Sequence, residues 1–81
     1  MNISSRQIFK AITHYQKTNG VNQNQENTLT ESLIEAMRTG ESNDWVVIDE
    51  IKGLGKGFFV KGHGSYFPND FGSITFVQSV G

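Results

Sequence analysis

The stretch Lys52–Phe71, KGLGKGFFVKGHGSYFPNDF, constrains the fold of this chain more than any other. Glycines at 53, 55, 57, 62 and 64 and the single proline, Pro68, punctuate it, and it holds five of the nine aromatic residues. Glycine supplies the positive φ that tight hairpin turns need, and aromatic and β-branched residues suit a pleated surface. Lys52-Gly-Leu-Gly55 therefore reads as a hairpin connection and Lys56–Lys61, KGFFVK, as the strand that follows. Strand alternation puts Phe58 and Val60 on one face and Phe59 on the other. Gly62–Asp70 reads as a loop in which Ser65–Phe67 makes at most a short extended piece, and Asn69–Gly72 as a turn.

Upstream, the pattern changes to a helical period. Ser4-x-x-Gln7 has the spacing of a capping box, in which the hydroxyl accepts from a first-turn amide and the glutamine reaches back. Ile3 and Ile8 stand at hydrophobic-staple spacing. Ile8, Ala11, Ile12 and Tyr15 make one apolar face, with Phe9 either widening it or exposed, and Asn19-Gly20 is the stop. The polar run 20–27 reads as a loop. Thr28-x-x-Glu31 resembles a second capping box, Leu29, Leu33, Ala36 and Met37 share a face, and Gly40 ends that helix.

Asp44–Ile51, DWVVIDEI, is the strongest strand signal. Trp45, Val47 and Ile51 point one way and Val46 and Ile48 the other, as in a central strand covered on both sides. Ser73–Val80 is the closing strand. Helices expected at about 5–18 and 29–39 and strands at about 44–51, 56–62 and 73–80 give an α+β fold: two N-terminal helices packed on a three-stranded antiparallel β-meander. Its 81 residues suit a single α+β domain, 1–81, with a small core.

Composition excludes some functions. No cysteine is present, which removes disulfides and thiolate metal sites. The N-terminal residues lack the apolar run of a signal peptide, and no stretch approaches the ~20 apolar residues of a membrane span. The expected location is the cytoplasm, with no membrane partner. The net charge of −1 argues against bulk electrostatic binding of nucleic acid. Its distribution is uneven: Arg6, Lys10 and Lys17 face no acid in the first 25 residues, whereas Glu26–Glu50 is strongly acidic.

No motif names a chemistry. Gly53-Leu-Gly55-Lys-Gly57 lacks the glycine spacing of a nucleotide-binding loop. His14 and His63 have no neighbour at metal-ligand spacing, and adjacent Asp49 and Glu50 face opposite ways in a strand. No cofactor, metal or catalytic residue is expected, and the chain reads as a non-enzyme. Lys56-Gly-Phe58-Phe-Val-Lys61 resembles the start of the RNP1 strand of RNA-recognition domains over about six residues. The small residue between its two aromatics is missing, so Phe58 and Phe59 split between faces. Lys52, Lys56 and Lys61 with Phe58, Tyr66 and Phe67 nonetheless supply together the cations and stacking rings that single-strand binders use.

The leading expectation is a small protein-binding module, an inhibitor or accessory factor of the kind that phages and mobile elements encode, acting on a larger protein. A sheet with helices on one side leaves the other face open, and aromatic residues with a few cations make interface hot spots. Lys56, Phe58, Lys61, His63, Tyr66, Phe67 and Phe71 are the candidate contact residues. Single-stranded nucleic-acid binding through the same segment is the alternative, and self-association through an edge strand or the open face is a further expectation.

Overall fold

The computed structural model describes residues 3–19 and 23–78. The elements run α1 (Ser5–Asn19), α2 (Gln23–Thr39), β1 (Val46–Ile51), β2 (Gly55–Val60), β3 (Gly64–Pro68) and β4 (Ile74–Gln78). The class is α+β, and the sheet is a four-stranded antiparallel meander, β1-β2-β3-β4.

The first capping box forms. The Gln7 amide donates to Ser4 Oγ at 3.2 Å, and the Ser4 amide donates to Gln7 Oε1 at 3.0 Å. The second does not: α2 starts at Gln23, so Thr28 lies inside the helix. Glutamine and glutamate are good helix formers, and in residues 23–27 they extend the helix into what reads as loop. The Gly20 stop and the strand residues 79–80 lie outside the described residues. Among the described residues, no helix is long and apolar enough to cross a membrane.

Two further expectations change. The loop between the second and last expected strands contains β3, and β1 is an edge strand, not a central one. The register sets Val46 opposite Val60 and Ile51 opposite Gly55 in the first pair, Phe58 opposite Tyr66 in the second, and Tyr66 opposite Phe76 in the third. Even-numbered strand residues consequently share the face beneath the helices. Val46, Phe58, Val60 and Tyr66 join Ile8, Ala11, Tyr15, Leu29, Leu33, Ala36 and Met37 in one buried cluster, with Ile48, Ile74 and Phe76 packed against it.

Two glycines make β3 fit. A Cβ on Gly64 would lie 2.6 Å from the Val77 carbonyl oxygen and 2.7 Å from the Phe76 ring. A Cβ on Gly57 would run into the Phe67 ring, which lies across β2 on the face away from the helices. Phe67 is 2 % exposed there, outside the main cluster. An aromatic ring laid over a cross-strand glycine shields backbone that has no side chain of its own.

Candidate functional site

Odd-numbered strand residues build the outer face of the sheet. Trp45, Val47, Ile51 and Val77 are each about 40 % exposed, from 38 to 41 %, around the half-buried Phe59 and the buried Phe67. Asp49 is the one charged side chain of β1 on this face. Apolar side chains held in register on rigid strands, with a buried aromatic floor, form a surface that water solvates poorly and a partner can cover.

The seven sequence-predicted residues do not form one patch. Phe58 and Tyr66 are 0 % exposed in the core, and Phe67 is the floor of the outer face. These three are not surface rings, because alternation turns Phe58 and Tyr66 under the helices and Gly57 leaves room for Phe67 to lie flat. Lys56 Nζ donates to the Gly40 carbonyl at 3.2 Å, just past the end of α2, where a cation suits the helix dipole. Lys61 Nζ donates to the Asp44 carbonyl at 2.9 Å. Phe71 is 92 % exposed at the tip of the β3–β4 turn.

His63 and Tyr66 do meet, and His14 joins them. Tyr66 Oη lies 2.7 Å from His14 Nδ1 and 2.8 Å from His63 Nε2. His14 comes from α1, His63 from the β2–β3 turn and Tyr66 from β3, and Phe76 stacks against both imidazoles at 4.4 and 4.9 Å. Burial, with Tyr15 adding to it, pushes the Tyr66 phenol above its usual range, so it keeps its proton. Burial lowers the His63 pKa, and the neighbouring His14 lowers it further. One hydroxyl proton serves two imidazoles, so the phenol donates to one ring and accepts from the other. A neutral imidazole can fill either role, according to its tautomer. Helical period and strand alternation do not show this meeting, because His14 and His63 are brought together by packing alone. Among the described residues, no group of three or more His, Cys, Asp or Glu side chains could hold a metal ion.

The two edges of the sheet differ in their backbone chemistry. The Lys61 amide donates to the Trp45 carbonyl, which sets odd-numbered β1 residues toward β2. The outward amides are then those of Val46, Ile48 and Glu50. Each has a side-chain acceptor at 2.9 Å: Asn43 Oδ1, Ser42 Oγ and Asp49 Oδ1. Asn43 also donates from its backbone to the Val46 carbonyl and from Nδ2 to Ser32 of α2. On the other side, the Asn69 amide donates to the Ser73 carbonyl at 3.0 Å, which sets odd-numbered β4 residues toward β3. The amides and carbonyls of Ile74, Phe76 and Gln78 face outward, and no group among the described residues caps them.

No family model, curated protein or solved structure matches this chain.

Proposed function

We propose that this chain is a non-enzymatic protein-binding module, an inhibitor or accessory factor that docks on a larger protein through the outer face of its sheet. One observation carries the reading: both helices pack on a single face, and the opposite face keeps Val47, Ile51 and Val77 of the strands, and Trp45 just before β1, each about two-fifths exposed. Burying such a surface yields about 25 cal/mol per Å² of apolar area, and the rigid strands lose little entropy on binding. Single-strand binding has less support, since Phe58, Tyr66 and Phe67, the rings it would stack on, are buried, and Lys56 and Lys61 are engaged with carbonyls.

The test is affinity capture with the full chain and with a Val47→Asp, Val77→Asp double variant. Both side chains are exposed, so the variant should retain its melting temperature within a few degrees and lose the captured protein. Retention of the same protein by the folded variant would sink the outer face as the docking surface.

A further inference from the structure

We infer that the partner enters as an added strand on the β4 edge, and that this strand is an extended, acidic segment of another protein. The inference rests on the protein-binding reading and names the mode and the partner chemistry. A sheet edge with unpaired amides and carbonyls is a template for another strand, and folded proteins ordinarily blunt it. At β1 all three outward amides are capped by side chains, and Asp49 and Glu50 add charge. At β4 neither device is present among the described residues: Ser73–Gln78, SITFVQ, holds no charge, no glycine and no proline, and no described group caps its outward amides and carbonyls.

The surroundings of β4 select the occupant. Gln7 Nε2 of α1 donates to the Asn69 and Ser73 carbonyls at 2.7 and 3.0 Å, Lys10 Nζ reaches the Gly72 carbonyl, and His14 stacks on Phe76. α1 therefore runs alongside β4. The flank it presents has Lys10 and Lys17, which line an open hollow of about 290 Å³ with Phe9, Thr13 and His14. Arg6, Lys10 and Lys17 are the charges of α1, and Asp70 in the turn is the nearest acid in sequence to β4. A second copy pairing β4 with β4 would bring two basic helices together, and a copy offering its acidic β1 would find those amides occupied. An acidic strand from another protein meets neither obstacle. Its backbone would pair with Ile74, Phe76 and Gln78, its carboxylates would face Lys10 and Lys17, and its apolar side chains would continue the outer face beyond Val77.

The probe is a blocked peptide alternating valine and glutamate, with its valine–lysine counterpart as control, added to isotope-labelled protein at low salt. The acidic peptide should slow amide exchange about tenfold or more at Ile74, Phe76 and Gln78, and leave Val46, Ile48 and Glu50 unchanged. The lysine peptide should bind at least about tenfold more weakly, with the gap closing as salt rises. Lys10→Glu with Lys17→Glu, both at exposed positions, should reverse the preference, and Gln78→Pro should weaken both peptides by deleting one outward donor that β3 does not use. Protection absent at these three amides, protection at β1 instead, equal binding of the two peptides, or a dimer of the chain alone protected at β4 would each overturn the inference. If the amides stay unprotected while Val47→Asp with Val77→Asp still abolishes capture, the edge assignment falls and the docking face stands. If the amides are protected and that double variant still captures its partner, the docking face falls and the edge stands.

Discussion

At the β1 edge, every outward amide of the strand is held by a side-chain oxygen of the same chain; at the β4 edge, Ile74, Phe76 and Gln78 present theirs with no cap among the described residues. The same meander thus ends in two chemistries. The capped edge belongs to the acidic half of the molecule, beside α2, and the bare edge lies beside the basic α1. A sheet with two bare edges would polymerise head to tail, and one with two capped edges could bind only through its faces. One edge of each kind permits a single added strand.

The largest effect is expected where the bare edge is attached. Gly64→Val would place a Cβ within 2.6 Å of the Val77 carbonyl oxygen, a backbone atom that cannot swing aside. Overpacking of this kind costs about 3 kcal/mol, and more when backbone must move. Chemical denaturation should show a loss of that order, and amide exchange should show β4 released before β1. A variant as stable as the parent would mean that β3 and β4 do not approach as closely as the register requires.

Gln7→Ala should come next. Gln7 is 2 % exposed and serves two structures at once, the capping box of α1 and the two turn carbonyls before β4. Losing its donors takes the side-chain partner from the Asn69 carbonyl, leaves the Ser73 carbonyl with the Asn69 amide alone, and removes a cap, at a cost of about 2 kcal/mol. Denaturant unfolding at constant m-value would measure it. Ser4→Ala removes only the cap and should cost about 1 kcal/mol. The difference between the two isolates the tie to the β4 side.

This double duty also marks how far the sequence can be read. The Ser4-x-x-Gln7 spacing reveals the cap, because a cap is local. It cannot reveal that the amide group of Gln7 also reaches Asn69 and Ser73, because that contact depends on how α1 sits on the sheet. The same division runs through the chain. Helix periodicity locates α1 and the apolar face of α2, and the hairpin at Lys52–Gly55 follows from its glycines. β3 stays hidden because Gly64 and Pro68 are poor strand formers by composition. Gly64 is required there by the closeness of Val77, and Pro68 ends the strand where pairing with β2 has already stopped. β1 reads as central because both its faces are apolar, yet the second apolar face is the exposed outer surface. The chemistry of Phe58, Tyr66 and Phe67 suits contact residues, and tertiary packing buries all three.

Asn43→Ala tests the capped edge. Asn43 Oδ1 accepts from the Trp45 and Val46 amides at 3.0 and 2.9 Å, and its Nδ2 holds Ser32. The variant should lose about 1 kcal/mol of stability. It should also self-associate in a concentration-dependent way as the acidic β1 edge opens to the basic β4 side of a neighbour. Light scattering or sedimentation would follow this. A variant that is destabilised yet monomeric at high concentration would show that Asn43 supports the fold without guarding the edge.

The smallest effect expected is that of pH, and it should fall on the bare side alone. Burial first, and His14 second, hold the His63 pKa below its ordinary value of 6.5, so the folded state favours the neutral ring. The unfolded chain therefore binds the proton more readily. This contribution to stability is complete above about pH 6.5, shrinks as pH falls below it, and is lost once pH passes the folded value. The groups around the site include Tyr15, Tyr66, Phe76, Thr18 and Gln78, with Lys10 and Lys17 on the flank of α1 that carries His14. None of these is an acid that could compensate a second positive charge. Acidification below pH 6.5 should raise amide exchange in β3, β4 and the facing turn of α1 before it does so in β1, whose side-chain caps come from an asparagine, a serine and Asp49. His63→Gln should flatten the dependence in that window. Equal loosening of both edges on acidification would disconnect the His14–Tyr66–His63 cluster from the β4 side, and the asymmetry would then rest on the caps alone.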